Sequence, residues 1–297
     1  MNVAAIMKKI PRFFRRRKLV DAILFFSPNS RIQQIELQNG ATLFTDISDR
    51  FPKSYFLSGN FDQEFLDTAA FFLAKGGVFF DAGANFGFYS FGLMAEIPEA
   101  NVDYHLFEAN SEMCGLLKRS AELQNGKKIK VAEACLTDQK GFSRLYIKKG
   151  HLSGSYICDK GTQPVQNLLL DEYMSGNGIA HVDFMKMDIE GYEFPALKGA
   201  CVNLERGNIK VIYLEASDPN HENLPWKLTD CLDLLKRKGF KLFYVKKVDF
   251  EKGYASVSLG REFERGGRKL FLSPLEVFPK GHQTDILAVH HSSGFQF

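Results

Sequence analysis

The sequence has few cysteines, and no two of them form a C-x-x-C pair. There are five among 297 residues, at positions 114, 135, 158, 201 and 231. An odd number without paired spacing does not fit a disulfide framework or a structural zinc site. We therefore expect reduced thiols, as in a cytoplasmic protein, and no metal ligands among them.

The sequence also lacks a large charge imbalance and a long hydrophobic run. The formal net charge is only +3, and basic and aromatic residues do not alternate as they do in RNA-binding motifs. The apolar run LVDAILFF is interrupted by Asp21 and is too short to span a bilayer, and no small-residue cleavage site follows it. These absences argue against nucleic acid as a partner and favour a small-molecule or glycan acceptor.

Acidic residues are missing from the first twenty positions, which contain seven Lys and Arg residues. The same segment, MNVAAIMKKIPRFFRRRKLV, includes Phe13, Phe14, Leu19 and Val20. Cationic and apolar side chains together are typical of helices that lie on an anionic membrane. The segment fits an ordinary solvated surface helix first, and peripheral membrane contact at the cytoplasmic face is the alternative.

No repeat, low-complexity tract or long Gly/Ser linker divides the chain. We assign residues 1–60 to a basic N-terminal extension with substrate-side elements, and residues 61–297 to one domain with a charged, glycine-rich excursion at 249–283. Apolar strands alternate with amphipathic helices in that domain, and EFPALKGACVNLERG is predicted as a single helix. The alternation predicts an α/β fold with a parallel sheet covered on both faces, which binds ligands at the carboxyl ends of its strands.

The stretch FFDAGANFGFYSFGL, residues 79–93, ends a strand and opens a helix. In the dinucleotide motif G-x-G-x-x-G, the second glycine lets the backbone approach a pyrophosphate. Asn85 occupies that position here, between Gly83 and Gly87, and its side chain argues against NAD or FAD. The alternative is that the glycines merely let the strand turn into the helix, because a lone glycine pattern is weakly specific.

An acid at the end of the next strand strengthens the ligand interpretation. Glu108 ends VDYHLFE, where its carboxylate can accept from two ribose hydroxyls. S-adenosylmethionine (SAM) has a ribose and a carboxylate but no pyrophosphate, and its carboxylate suits a helix N-terminus. Asp81 would face the amino acid end of SAM, directly or through water. SAM is therefore the predicted cofactor.

With these residues the sequence resembles the FkbM family of SAM-dependent methyltransferases, from about residue 60 to residue 290. Four blocks carry the resemblance: FFDAGANFGFYS, HLFEANSEMCGLLKRSAELQN, VDFMKMDIEGYEFPALKGA, and VIYLEA with TDILAVHH. The third block contains the family's K-x-D-x-E-G-x-E signature and is the most specific. Ala109 stands where the family usually has proline, a departure that concerns the loop more than the ribose contact.

The resemblance implies a class I, Rossmann-like methyltransferase sheet of seven mostly parallel strands, with the last strand antiparallel. It also implies O-methylation of a hydroxyl on a sugar, glycolipid or secondary metabolite. The cofactor residues that follow from it are Asp81, Gly83, Asn85, Gly87, Glu108, Leu136, Thr137 and Asp188, with Leu136 and Thr137 near the adenine.

Methyl transfer to a hydroxyl requires a positioned acceptor oxygen and a base for its proton. Asp188 and Glu190 follow the fourth main strand, and residues 186, 188 and 190 share one side if the extended backbone persists. Lys186 is expected to pair with Asp188. Glu190 is a candidate base, with capping of the next helix as its alternative role. His221 is a third catalytic candidate because its ordinary pKa, near 6.5, suits a base.

Two further residues complete the expected acceptor side. Glu215 can join Asp188 around the acceptor or around a divalent ion, so magnesium is an alternative cofactor, although the spacing matches no recognised metal motif. Trp226 can form an aromatic wall for a sugar ring or can belong to the core.

Two other functions compete with this interpretation. A nicotinamide oxidoreductase is disfavoured by Asn85 and by the lack of a Tyr-x-x-x-Lys pair after the fourth strand. A noncatalytic SAM-binding fold is disfavoured because Asp81, Gly83, Gly87, Glu108 and Asp188 are all present.

Overall fold

The computed structural model describes residues 16–59, 61–245 and 260–295. Its helices are α1 (Arg16–Phe26), α2 (Arg50–Ser58), α3 (Gln63–Leu73), α4 (Phe88–Glu96), α5 (Ser111–Ala121), α6 (Leu170–Gly176), α7 (Glu193–Lys198), α8 (Cys201–Glu205) and α9 (Leu228–Arg237). Its strands are β1 (Ile32–Glu36), β2 (Thr42–Asp46), β3 (Gly77–Ala82), β4 (Val102–Glu108), β5 (Lys128–Glu133), β6 (Cys135–Leu136), β7 (Phe142–Tyr146), β8 (Tyr156–Ile157), β9 (Gln163–Leu168), β10 (Phe184–Met187), β11 (Val211–Ser217), β12 (Phe240–Tyr244), β13 (Arg261–Arg265), β14 (Arg268–Pro274) and β15 (Gln283–His290). Short 3-10 helices lie at Pro28–Ser30, Leu152–Gly154, Pro219–His221 and His291–Ser293.

The central sheet has the order β13-β14-β12-β15-β11-β10-β3-β4-β5. Strands β5, β4, β3, β10 and β11 run parallel, whereas β15 lies antiparallel between β11 and β12. Seven strands, from β5 to β12, thus form the predicted mostly parallel sheet with its last strand antiparallel. The fold class is confirmed.

Two strands extend this sheet at one edge. The hairpin β13–β14 pairs with β12 through β14, and both of its strands fall within the predicted excursion at 249–283. Residues 249–259 of the excursion lie outside the described residues. The described part of the excursion therefore contains regular sheet.

Helices cover both faces of the sheet. Neighbouring residues of a strand point to opposite faces, so a strand that is apolar throughout gives the sheet two apolar faces to be covered. Phe79 and Phe184 belong to the larger core cluster, which also contains apolar residues of α3, α4 and α5. Phe80 and Met185 belong to a second cluster with residues of α6, α7, α8 and α9. Continuous apolar strands are the pattern expected of a sheet buried on both faces.

The N-terminal elements pack on the main domain. The antiparallel hairpin β1–β2 lies against α5, where the backbone N–H of Phe44 donates to the hydroxyl of Ser120 at 2.8 Å and the guanidinium of Arg119 lies 4.1 Å from the Phe44 ring centre. Leu43 and Tyr55 belong to the larger core cluster. Residues 32–58 therefore share a core with the domain that follows them.

One predicted helix is wrong. EFPALKGACVNLERG forms two short helices, α7 and α8, because the chain approaches a neighbouring backbone closely at Gly199. A Cβ at Gly199 would lie 2.0 Å from the backbone oxygen of Thr137. Among the described residues, no helix has the length and apolar character needed to cross a membrane.

Candidate active site

A cleft of about 640 Å³, counting its open mouth, lies at the carboxyl ends of β3, β4 and β10. The residues that line it include Gly83, Asn85, Glu108, Leu136, Asp188 and Glu190. Six of the residues predicted from the sequence thus meet in one cavity.

The turn after β3 forms the floor of the cleft. Gly83 has a φ of 77°, and a Cβ there would lie 1.9 Å from the backbone oxygen of Asp188, so only glycine fits. Gly87 has a φ of 85° and precedes α4. Asn85 also has a positive φ, 55°, a conformation that asparagine tolerates better than most residues. The turn thus presents the side chain of Asn85, and no third glycine, to the cleft.

Glu108 holds this turn and still has capacity for a ligand. One carboxylate oxygen accepts from the backbone N–H of Asn85 and the other from that of Asn110, each at 2.8 Å. Burial raises the pKa of Glu108 to about 7, against the opposing effect of these hydrogen bonds. Each carboxylate oxygen can accept a second hydrogen bond, so two hydroxyls of a ribose can be bound.

A further acceptor in the cleft fits an adenosine-bearing ligand. The side-chain oxygen of Asn85 is buried and has no hydrogen-bond partner within the described ranges. A buried polar atom of this kind is costly unless it is hydrogen-bonded. Together with Glu108 it offers oxygen acceptors to the hydroxyl and amino groups of SAM, so the residues present fit this cofactor.

Lys186 connects the turn after β3 with Asp188 at the end of β10. Its ammonium donates to the backbone oxygen of Gly83 at 2.9 Å and lies 3.4 Å from the Asp81 carboxylate and 3.6 Å from that of Asp188. Burial lowers the pKa of Lys186, but the two carboxylates more than offset this and raise it. The predicted pair between Lys186 and Asp188 is confirmed.

Asp81 supports the turn from behind. It is fully buried, does not line the cleft, and accepts a hydrogen bond from the Ser90 hydroxyl at 2.6 Å. Direct contact with a ligand in the cleft is therefore not favoured. Through Lys186 and Ser90, Asp81 instead fixes the backbone of the turn and the first part of α4.

Two acids, Asp188 and Glu190, face the cleft from the other side. The condition for residues 186, 188 and 190 to share one side, a persistent extended backbone, is not met, because β10 ends at Met187 and Glu190 has a φ of 54°. A non-glycine residue in this conformation is strained, and such strain often marks a functional position. Burial, followed by the charges of Asp188 and Glu193, raises the pKa of Glu190 to about 7.

Glu190 does not cap the following helix. The N-cap residue of α7 is Tyr192, which makes no side-chain cap hydrogen bond. The carboxylate of Glu193, the first residue of α7, accepts from the backbone N–H groups of Ile189 at 3.1 Å and Gly191 at 3.3 Å in the loop before the helix. Glu190 is instead near the side-chain amide of Asn220, at 3.4 Å. Its carboxylate remains directed to the cleft that it lines.

Glu215 lies beside the acids of the cleft without lining it. Burial, and then the charges of Asp188 and Glu190, raise its pKa. The side-chain amide of Gln283 donates to its carboxylate at 2.6 Å. Within the described ranges, no group of three or more His, Cys, Asp and Glu side chains is arranged to hold a metal ion, and the magnesium alternative has no structural support.

His221 lies away from the cleft. It is 1% exposed, and its ring nitrogens face the backbone oxygen of Ser217 at 2.7 Å and the carboxylate of Glu193 at 3.3 Å. An enclosed imidazole with both nitrogens engaged cannot reach an acceptor in the cleft. The geometry therefore gives His221 a structural place, and we do not retain it as a candidate base.

Thr137 and Trp226 also lie outside the lining of the cleft. Thr137 is 2% exposed, and its neighbour Leu136 is the residue of this pair that lines the cavity. The indole N–H of Trp226 donates to the backbone oxygen of Gly191 at 2.9 Å, and its ring lies edge-on to that of Tyr192. Trp226 thus braces the loop that carries Glu190.

One wall of the cleft was not expected from the sequence. It comes from β7, β8 and their connection, with Leu145, Leu152, Ser153, Ser155, Tyr156 and Ile157 in the lining. The sequence indicated an added strand or hairpin arm at GFSRLYIK, but no local pattern places the following residues over the cleft. Their position depends on contacts with the N-terminal elements.

The sequence profile of the family described as Methyltransferase FkbM domain matches residues 81–242, which is more than half of the chain. This range includes the turn, Glu108, Asp188 and Glu190. No curated protein matches the chain.

Solved structures of methyltransferases resemble the chain at low identity. Methyltransferase FkbM from Methylobacillus flagellatus KT has 17% identity and a TM-score of 0.42, with 57% of this chain and 39% of that chain covered. A TehB-like SAM-dependent methyltransferase from Corynebacterium glutamicum ATCC 13032 Kitasato has 12% identity, a TM-score of 0.40 and coverage of 75% and 92%. A putative O-methyltransferase from Klebsiella pneumoniae has 8% identity, a TM-score of 0.40 and coverage of 78% and 81%. The chain spans well under half of the first structure's length.

Proposed function

The chain belongs to the FkbM family of SAM-dependent methyltransferases, and on that basis we propose that it methylates a hydroxyl group of a sugar, glycolipid or secondary metabolite. The observation that carries the proposal is the meeting, in one cleft, of a ribose acceptor, Glu108, with two acids, Asp188 and Glu190. The first suits cofactor binding and the others suit removal of a hydroxyl proton. SAM supplies an electrophilic methyl group when it is bound.

We assign the cofactor side of the cleft to Gly83, Asn85 and Glu108. Gly83 lets the backbone turn tightly, and Glu108 accepts from the ribose hydroxyls with the lone pairs that the backbone leaves unused. Leu136 supplies apolar surface near the adenine. Because the turn has a side chain at Asn85 where a dinucleotide site has glycine, it is suited to a carboxylate and not to a pyrophosphate.

We propose Glu190 as the general base. A base works best when its pKa is near the working pH, and burial raises the pKa of Glu190 to about 7. Asp188 is ion-paired with Lys186, whereas no salt bridge to Glu190 is found within the described ranges. With SAM bound as methyl donor, the carboxylate of Glu190 would accept the proton that the acceptor hydroxyl loses on methylation. Asp188 then orients the acceptor hydroxyl.

Calorimetry separates this function from the oxidoreductase alternative. We expect SAM and S-adenosylhomocysteine (SAH) to bind and NAD not to bind. Tighter binding of NAD than of SAM would contradict the assignment of the turn.

A second experiment identifies the acceptor. Labelled SAM is supplied with cell extracts fractionated into glycolipids, polysaccharides and small molecules. If the protein binds SAH but transfers label to none of the fractions, the noncatalytic alternative is favoured.

We also propose that the N-terminal region contacts an anionic membrane at the cytoplasmic face. All five cysteines are free, in keeping with a reducing compartment. Helix α1 is attached to the domain through Val20, which is fully buried against Ile47, so Val20 is not available as a membrane wedge. Phe13 and Phe14 lie outside the described residues.

The structure offers a different apolar pair for this contact. Phe25 and Phe26 at the end of α1 are 79% and 82% exposed, and their rings lie 5.2 Å apart. They follow a twenty-residue stretch that has seven cations and no acid. Exposed aromatic rings beside cations are suited to the interface of an anionic bilayer, which attracts each Lys or Arg by about 1 kcal/mol.

Vesicle co-sedimentation tests the membrane contact. We expect binding to vesicles that contain phosphatidylserine, weaker binding at high salt, and loss of binding when Phe25 and Phe26 are both replaced by serine. Phe142→Ser is the matched control, because Phe142 is also strongly exposed, at 71%, but lies on β7. Equal vesicle binding by all three proteins would contradict the proposal. Sedimentation that instead shows a dimer, lost in the Phe25/Phe26 variant, would assign the pair to self-association.

A further inference from the structure

The connection between β7 and β8, residues 147–155, is here called the wall loop. Leu152, Ser153 and Ser155 of this loop line the cleft, and Leu152–Gly154 forms its 3-10 turn. Lys148 and Lys149, at the other end of the loop, are exposed. The position of the wall loop therefore sets the shape of one side of the cleft.

A carboxylate from the N-terminal elements holds the wall loop. Asp49, 1% exposed, accepts the backbone N–H of Leu152 on one oxygen and the hydroxyl of Ser153 on the other, the latter at 3.3 Å. It also accepts the backbone N–H of Phe51 at 3.3 Å as the N-cap of α2. A buried carboxylate requires such donors, and hydrogen bonds to a charged group are the stronger kind.

The other hydrogen bonds described for the wall loop are local. His151 donates its backbone N–H to Lys148 at 3.0 Å, Gly154 donates to His151 at 3.0 Å, and Ser155 accepts from Lys148 at 3.2 Å. Such bonds shape the loop but do not fix it relative to the cleft. The hydrogen bonds that Leu152 and Ser153 donate to Asp49 span more than one hundred positions of the chain and do fix the loop.

We infer that Asp49 is a positioning residue that sets the wall loop against the cleft and so makes ligand binding depend on the N-terminal elements. Asp49 lies outside residues 81–242, the range matched to the methyltransferase family. The inference rests on the proposed function only in taking the cleft as the site of methyl transfer. It places a binding determinant within residues 1–60, which the sequence assigned to an extension with substrate-side elements.

Asp49→Ser is the informative substitution. Serine retains the helix cap at Phe51, since it is a good N-cap residue, but it lacks the second oxygen and the reach needed for Leu152 and Ser153. Asp49→Asn keeps one acceptor oxygen and should behave as an intermediate. Asp21→Ser is the matched control, because Asp21 is an acid of the same N-terminal elements that pairs with Lys53 and does not bind the wall loop.

Two measurements test the inference. In the ligand-free protein, trypsin should cleave after Lys148 or Lys149 several-fold faster in Asp49→Ser than in wild type or Asp21→Ser, and at an intermediate rate in Asp49→Asn. The Kd for SAH and the KM for SAM should rise about tenfold, which matches the loss of a hydrogen bond to a charged group, while kcat changes little. The variant should still unfold cooperatively.

Wild-type cleavage rates together with wild-type SAH affinity in a folded Asp49→Ser protein would overturn the inference. So would a loss of affinity that follows global unfolding and is not relieved in Asp49→Asn. If wild-type protein binds no SAH, the proposed function fails, but the trypsin comparison still decides whether Asp49 holds the wall loop.

Discussion

The imidazole of His221 faces the carboxylate of Glu193 across 3.3 Å, and both side chains are 1% exposed. The other imidazole nitrogen faces the backbone oxygen of Ser217, which can only accept, so it must donate a proton there. Glu193 meanwhile accepts from the backbone of Ile189 and Gly191 on either side of Glu190. The pair therefore fixes the loop that presents Glu190 to the cleft.

Breaking this pair should lower stability. We expect His221→Gln and Glu193→Gln each to reduce the free energy of unfolding by about 1.5–3 kcal/mol, the range for a hydrogen bond to a charged group. Urea unfolding measures the change. If His221→Gln instead leaves stability intact and abolishes turnover, the imidazole is a base after all.

The contribution of His221 should depend on pH with a defined sign. Burial lowers the pKa of His221, but its bonds to Glu193 and Ser217 outweigh this and raise it above the ordinary value of 6.5. A raised pKa means that the protonated form stabilises the fold fully below pH 6.5, and that this stability is lost as the pH rises through the folded-state value. The difference in unfolding free energy between wild type and His221→Gln should therefore shrink from pH 6 to pH 9. A difference that grows over this interval would contradict the assignment.

The close approach at Gly83 gives a third prediction. Gly83→Ala combines an unfavourable φ of 77° with a Cβ 1.9 Å from a backbone oxygen, and should abolish detectable SAH binding. Gly126→Ala is the matched control, since its φ is 75° but nothing lies within 4 Å of its Cβ. The control should lose only the backbone term of about 1–2 kcal/mol and should bind SAH normally. Calorimetry measures the SAH affinity of both variants. Equal affinities would show that the turn after β3 can shift to accommodate a Cβ at position 83.

The sheet and the cofactor side of the cleft could be predicted because they depend on local sequence. Buried strands have continuous apolar residues, and the residues at their carboxyl ends meet at one edge of a parallel sheet. Glu108 and Asp188 follow from that rule alone. The resemblance to a methyltransferase family added the antiparallel last strand, which periodicity does not show.

The remaining features depend on contacts between distant elements. No local pattern shows that His221 turns inward to Glu193, or that Asp49 reaches Leu152. The left-handed backbone at Glu190 ends the extended conformation that residues 186, 188 and 190 would need to share one side. The hairpin β13–β14 was taken for an excursion because most residues of β13 are exposed and charged, which is typical of an edge strand as well as of a loop.

Glu108 should control cofactor affinity in a pH-dependent way. Glu108→Gln removes the charge and should weaken SAH binding by about 1.5–3 kcal/mol. Because burial raises the pKa of Glu108 to about 7, wild-type affinity should fall as the pH drops through 7, while the glutamine variant shows little change. Calorimetry between pH 5.5 and 8.5 tests this. The same pH dependence in both proteins would assign the titration to another group.

Glu190 should control the chemical step. Its carboxylate lines the cleft, and burial together with the charges of Asp188 and Glu193 raises its pKa to about 7. A base must be deprotonated to act, so kcat should rise with pH through about 7 and then level off. Glu190→Gln should lower kcat by about 10²–10⁴-fold, the usual contribution of a general base, and should remove this pH dependence.

The comparison needs a control and a readout of binding. Glu222→Gln is suitable, because Glu222 is an exposed acid in the nearby loop that does not line the cleft. It should retain wild-type kcat, and Glu190→Gln should retain wild-type SAH affinity, since the residue lies across the cleft from the ribose acceptor. Asp188→Asn should lower kcat as well, but it leaves Glu190 in place. The rise of kcat with pH should therefore remain and should move to lower pH, because the charge of Asp188 no longer raises the pKa of Glu190. If Glu190→Gln keeps both the turnover and the pH dependence of the wild type while Asp188→Asn loses them, the proton passes to Asp188, and the raised pKa of Glu190 has no part in the reaction.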